Sequence, residues 1–251
     1  FFFFLIESPK GQFEEGEDIT ELIGVIMYEP PIDPSLGGTT KGNFPSYIEK
    51  TDEERIQNMT KLYQKFKDKS FYATEKLDGT SATFFVKNGV FGVCSRNLEL
   101  KEPNDGDTLN TYWKIAKENN LEEQLVSYYR ETNINIAIQG EIIGFGIQKN
   151  NYKLNKQELY IFNVFDIDSF RKLGIEDIKY FSQIFNLKTV PIIREFNGLP
   201  TIDELIKIAD GQSLLNPNSR REGLVFRTFD NEISFKVISN NYLLKNEEDE
   251  K

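Results

Sequence analysis

The chain has 251 residues, 39% of them hydrophobic and 28% charged, with a net charge of −10. That length can bury a sizeable core as one large or two small domains, and the composition is that of an ordinary globular protein. No apolar run reaches the ~18 residues of a membrane span, the Phe1-Phe2-Phe3-Phe4-Leu5-Ile6 start lacks the basic flank and length of a signal segment, and Cys94 has no partner for a disulfide within the chain. The expectation is a monomer in a reducing compartment, cytoplasmic or nuclear, neither secreted nor membrane-bound. The chain does not begin with Met, which is expected of a fragment or a trimmed chain.

Residues 1–27 alternate short apolar runs with acidic turns and read as the end of a small β module. Tyr28 to Tyr47 carries Pro30, Pro31, Pro34, Gly37, Gly38 and Pro45, too many breakers for regular structure. Thr51 then opens a helix running to about Phe66, with Glu54 completing a capping box. Strands follow at Phe71–Lys76, Ser81–Lys87 and Val90–Ser95, the last two joined by Asn88-Gly89, a tight-hairpin signal. Leu109 to Arg130 reads as one long amphipathic helix. Ile134–Ile143 and Leu159–Ile167 read as strands, Ile175–Phe185 and Ile202–Ala209 as helices. Glu222–Thr228 and Glu232–Ile238 form a final strand pair around Asp230-Asn231. Strands paired in hairpins, with helices between the sets, make an α+β domain with antiparallel sheets and flanking helices.

There is no histidine. This removes the commonest general base, the Ser-His and Cys-His nucleophile pairs and most zinc sites. Chemistry is left to Lys, Arg, Asp, Glu, Tyr and metal ions, and oxygen ligands favour magnesium or manganese. The acidic balance argues against a nucleic-acid partner until its distribution is considered. Acid is concentrated at Glu14–Asp18 and Glu247–Glu250, while basic residues cluster at Lys61–Lys69, Lys149–Lys156 and Arg220-Arg221. Each cluster taken singly is a solvated surface, yet a local basic cleft can still hold phosphates.

Six segments place charge within or at the end of hydrophobic strands, where it is costly unless paired or used. In order they are Lys76-Leu77-Asp78-Gly79, Ser95-Arg96-Asn97, Gln139-Gly140-Glu141, Phe162-Asn163-Val164-Phe165-Asp166, Arg221–Arg227 and Ser234-Phe235-Lys236-Val237-Ile238. A lysine at a strand end before an Asp-Gly turn is held in a fixed direction, as a nucleophilic amine must be. Singly, each segment has a bland reading: Glu141 and Glu222 as solvent-facing strand residues, Phe165 as core, Arg96 as a surface cap, Lys236 as the outward member of an edge strand. Together they make a phosphate site.

That order resembles motifs I, Ia, III, IIIa, IV and V of the covalent nucleotidyltransferase superfamily of ATP-dependent ligases and mRNA capping enzymes. Tyr28-Glu29-Pro30-Pro31-Ile32, Gly42–Ser46, Thr51–Asn58 and Gly144–Asn150 further resemble the Deinococcus- and Naegleria-type RNA ligases. The resemblance runs from about Gly16 to Lys245. It implies an ATP-grasp-like ligase domain at 51–251, a connector at 28–50 and, at 1–27, the remnant of a truncated OB-like module. It implies joining of 3′-OH RNA ends to 5′-phosphates in nicked duplex RNA or RNA/DNA hybrids, with ATP and Mg2+ or Mn2+, through lysyl-AMP and adenylylated RNA. By the same resemblance Lys76 is the nucleophile, and Asp78, Glu141 and Glu222 hold hydrated metal ions. Arg96 contacts ribose or phosphate, Phe165 stacks on adenine, Lys236 touches the α-phosphate and Glu75 reads the adenine edge. Arg55 would reach the outer phosphates or the RNA 5′-phosphate. Ser234 departs from the Lys-x-Lys of many motif V sequences, so Lys236 acts alone there. With a shortened module, self-adenylylation is expected to survive better than sealing. The alternatives are a DNA ligase, a capping-type guanylyltransferase, a non-catalytic nick- or nucleotide-binding module, and a scaffold with coincidental motifs.

Overall fold

Phe71 to Lys76 and Gly223 to Ile238 pair with each other, and Thr80 to Cys94 pairs elsewhere; this division builds two sheets with the chemistry-bearing segments between them. The computed structural model describes residues 38–249, with side chains through residue 244, and from Gly38 on the chain forms one compact unit. The OB-like remnant expected at 1–27 lies outside the described residues.

The strands are β1 Thr40–Asn43, β2 Ser70–Lys76, β3 Thr80–Lys87, β4 Val90–Cys94, β5 Leu98–Leu100, β6 Ile136–Gly144, β7 Gln157–Asp166, β8 Arg171–Lys172, β9 Lys188–Thr189, β10 Ile192–Asn197, β11 Gly223–Thr228 and β12 Ser234–Ile238. The larger sheet has the order β1-β5-β4-β3-β6-β7-β8, with β9 running parallel to β7. The smaller has the order β10-β2-β11-β12 and is antiparallel throughout. The helices are α1 Thr60–Phe66, α2 Thr111–Glu118, α3 Leu121–Thr132, α4 Ile175–Ile184, α5 Ile202–Ala209 and α6 Asn240–Asp249. Among the described residues, no helix is long and apolar enough to cross a membrane.

Alternation decides which face of the smaller sheet is core. Phe71, Ala73, Leu224, Phe226, Phe235 and Val237 are fully buried in the cluster that also holds α1 and α5 residues. The Phe226 and Phe235 rings stack with centroids 5.0 Å apart. The opposite face presents Thr74, Lys76, Val225, Arg227, Lys236 and Ile238 to a cavity. A one-residue slip of β2 would exchange these faces, so burial of the phenylalanines sets the direction of Lys76.

The expected hairpin at Asn88-Gly89 is present, with φ of +52° and +78°. Both lie in the left-handed region, as the tight hairpin turn requires. Three expectations change. The Leu109–Arg130 helix is two helices, α2 and α3, because Asn120 takes φ +51° and interrupts the turn between them. Asn pays little for that conformation, so the hydrophobic period continues across a break it does not reveal.

The Thr51–Phe66 helix begins later. Thr51 Oγ1 bonds Ser81 Oγ at 3.0 Å, Arg55 bridges to Lys236, and the Lys236 N–H donates to the Glu54 carbonyl at 2.8 Å. These bonds hold 51–55 extended along β12, so a short 3-10 turn at Ile56–Met59 precedes α1. Thirdly, β1 gives the breaker-rich connector a strand on β5, and Phe44, Tyr47 and Ile48 behind it pack against Phe85 and Phe165.

Candidate active site

Lys76 is the last residue of β2, opposite Gly223 in β11, and Leu77-Asp78-Gly79 carries the chain from the smaller sheet to the larger. That passage is tight. A Cβ on Gly79 would lie 2.4 Å from the Ile142 carbonyl and 2.9 Å from Glu141 Cγ. The turn therefore needs glycine for close approach, and its position sets how near Asp78 comes to Glu141.

Around this crossing is a cavity of about 450 Å3. It is lined by eight of the residues singled out in the sequence besides Lys76: Arg55, Glu75, Asp78, Arg96, Glu141, Glu222 and Lys236 among the charged set, together with Gly79. Lys76 Nζ lies 2.6 Å from Glu222 Oε1, with both side chains largely screened from solvent. Lys236 faces Thr74 and Val225 across the smaller sheet, and burial followed by the nearby Lys76 charge lowers its ammonium. Arg96 pairs with Asp52 on the exposed rim. Arg55 sits at the β12 bridge rather than on a capped helix, which brings it to the same wall.

The Glu141 and Glu222 carboxyls are held above their ordinary range. Burial pushes Glu141 up to about 8; Lys76 opposes this, while Glu222 and Asp78 add to it. Burial also raises Glu222 against the pull of Lys76. An acid raised in the fold takes up protons on folding, so stability falls as pH rises through the window from 4.5 to about 8. Glu141→Gln removes this penalty. Without metal at about pH 9 the variant should melt higher than the parent, by roughly 2–4 °C for each kcal/mol recovered, with the difference closing near pH 5. Thermal melts across that range check it; a constant offset at every pH would contradict it.

Phe165 does not reach the cavity. It is fully buried with Ile48, Phe85, Cys94, Ala137 and Ile167, and its ring meets Phe170 edge-on at 5.2 Å. The phenylalanine on the cavity wall is Phe162, from the same strand. Across β6 and β7, Gln139 pairs with Asn163 and Gly140 with Ile161, so Phe162 is the extra residue of a bulge. A bulge turns one side chain off the regular alternation. The extra residue shows only in pairing with β6, which the β7 sequence alone does not display.

Two further wall residues lacked a role in the sequence reading. Arg227 is buried, pairs with Glu53 at 3.1 Å, donates to Thr74 Oγ1 at 3.3 Å and lies 5.6 Å from the Phe162 ring centroid. Gln148 donates to the Gly79 carbonyl at 3.2 Å. Deep in the site, Glu75 is 1% exposed. Its Oε2 accepts the Leu214 N–H at 2.8 Å, while its Oε1 is buried without a hydrogen-bond partner. Such an oxygen is costly unless a donor arrives. Among the described residues, no three acidic or Cys side chains converge as a direct metal-ligand cluster.

Comparison with known proteins agrees with this geometry. The family described as RNA ligase matches residues 69–238. A Naegleria gruberi RNA ligase variant solved with ATP and Mn is 40% identical, with a TM-score of 0.78 over 92% of this chain and 67% of that one. The N. gruberi RNA ligase with PPi is 40% identical, with a TM-score of 0.77 over 93% and 68%. A further variant with AMP and Mn is 40% identical, with a TM-score of 0.77 over 92% and 67%. No curated protein sequence matches the chain. With the family match spanning most of the chain and these structures aligned over nearly all of it, the chain belongs to the RNA ligase family.

Proposed function

We propose that this chain is an ATP-dependent RNA ligase that works through a lysyl-AMP on Lys76. The observation that carries the reading is the Lys76 amine, fixed at the end of β2 inside a cavity that also holds Arg55, Arg96 and Lys236. The Lys76 nitrogen attacks the α-phosphorus of ATP, a P–N bond forms, and the bond to the β-phosphate oxygen breaks to release pyrophosphate. An oxygen of the RNA 5′-phosphate then attacks the same phosphorus and displaces the lysine. Finally the 3′-OH attacks the adenylylated 5′-phosphate, forming the phosphodiester and releasing AMP.

The residues present fit ATP and a divalent cation. The unpartnered Glu75 Oε1 suits the exocyclic amine of adenine, with Phe162 as the ring platform. Asp78, Glu141 and Glu222 bring carboxyl oxygens into one cavity, without direct convergence; in their ionised form, which a bound cation favours, they are acceptor-only and suit a hydrated cation held through water. Bound there, magnesium or manganese would neutralise phosphate charge. Lys76 must leave its contact with Glu222 before it attacks. Lys236, Arg96 and Arg55 all line the cavity, and on this reading Lys236 is assigned to the reacting phosphate, Arg96 to the ribose or a phosphate, and Arg55 to the outer phosphates or the RNA end. The catalytic domain is taken as 51–251.

The substrate assignment is tested by sealing of matched nicked duplexes with RNA or DNA on the 3′-OH side. Sealing is expected to favour the RNA end by tenfold or more, on the order of one hydrogen-bonded sugar contact. Indifference to the sugar would overturn the nicked-RNA reading.

A further inference from the structure

Asp78 is gripped from two sides by residues outside the six motif segments. The Tyr242 hydroxyl, on α6, donates to Asp78 Oδ2 at 2.7 Å. Asn151 Nδ2, from the loop joining β6 to β7, donates to the same oxygen at 2.8 Å. In that loop the Tyr152 hydroxyl accepts the Asp78 N–H at 2.6 Å. The loop is itself anchored, since the Asn151 carbonyl accepts Asn216 Nδ2 at 2.7 Å. On the other side, the Ser239 N–H donates to the Glu222 carbonyl at 2.9 Å, and the Ser239 hydroxyl accepts the Tyr242 N–H at 3.1 Å. One short segment, 239–242, thus touches the main chain of one cavity acid and the side chain of another.

We infer that Tyr242 is a positioning residue that sets the Asp78 carboxylate for cation binding. The inference rests on the proposed role of Asp78. Two donors on Oδ2 fix the plane of the carboxylate, and Oδ1 carries neither bond. Donors that orient a ligating carboxylate tune affinity without touching the ion, and losing one typically costs ten- to a hundredfold. The Gly144–Asn150 stretch and its neighbours Asn151 and Tyr152 gain a role by the same geometry: they brace the Lys-Leu-Asp-Gly turn.

The test is direct Mn2+ binding to the full chain, read by loss of the free-Mn2+ electron paramagnetic resonance signal, together with transfer of α-labelled AMP from ATP titrated with Mn2+. Tyr242→Phe keeps the ring and removes the donor. It should raise the Mn2+ needed for half-maximal binding and labelling by about tenfold, with the rate at saturating Mn2+ and the KM for ATP there within about threefold of the parent. A parental Mn2+ curve would overturn the inference, as would an equal loss at every Mn2+ concentration. Should Tyr242→Phe fold poorly by melting, Asn151→Ala removes the other donor to the same oxygen while leaving α6 intact. A parental Mn2+ curve there overturns the inference equally. Asp78→Asn separates the two readings. If it labels like the parent, the role given to Asp78 fails; if it loses labelling while Tyr242→Phe is silent, only the positioning role fails.

Discussion

Lys76→Ala should abolish covalent labelling by α-labelled ATP, a loss of at least about a thousandfold, because it removes the amine that the proposed reaction joins to phosphorus. The fold should persist. Lys76 is partly exposed and makes one ion pair, and burial already favours the protonated form of its partner Glu222. Lys76→Arg sharpens the result, since a guanidinium keeps a charge opposite Glu222 but does not give up its proton to become a nucleophile. Both variants should stay folded and unlabelled on a denaturing gel. Label retained in Lys76→Ala would remove the lysyl-AMP reading. In the parent, label should come from ATP rather than GTP. Glu75 Oε1 is an acceptor awaiting a donor, and the exocyclic oxygen of guanine would meet it with a second acceptor.

Two phenylalanines of β7, three residues apart, should fail in opposite ways when replaced by alanine. Phe165→Ala empties a fully buried site and is expected to cost about 3–5 kcal/mol of stability, because its neighbours Ile48, Phe85 and Ile167 belong to different elements and cannot all close in. Its surviving folded fraction should bind ATP normally. Phe162→Ala removes a partly buried ring that lines the cavity wall and packs against the Leu77, Ile143 and Val190 cluster. It should cost less stability than Phe165→Ala, because one side of the ring faces the cavity, and raise the KM for ATP by about tenfold or more, the worth of one stacked base. Melting curves and initial labelling rates, measured together, separate the two. A normal KM in Phe162→Ala would end its role as the adenine platform.

These two residues also mark the limit of what a sequence displays. Lys76, Asp78, Glu141, Glu222 and Lys236 were legible because a charge inside an apolar strand is conspicuous, and because alternation puts Lys76, Thr74 and Lys236 on the face opposite the buried phenylalanines. Phe165 was misplaced because aromatic residues serve as core and as platform alike, and only the β6 partner reveals the bulge that selects Phe162. The extended course of 51–55 was hidden for a related reason. Its capping-box pattern is a local preference, overridden by the bond between the Glu54 carbonyl and the Lys236 N–H across 182 positions of sequence (236 minus 54). Arg227 stood out only as a charge in its strand, with no role assigned, and Tyr242 carried no local signal, as their partners Glu53 and Asp78 lie far away in the chain.

By itself the sequence determined the class of fold, the candidate nucleophile and the inventory of charges, since hydrophobic period, turn chemistry and the absence of histidine are local properties of the chain. Tertiary structure alone decided which aromatic ring faces the cavity, how the acids are spaced and which residues hold Asp78. Those depend on strand pairing between distant segments, and a pairing partner is not written into the segment it pairs with.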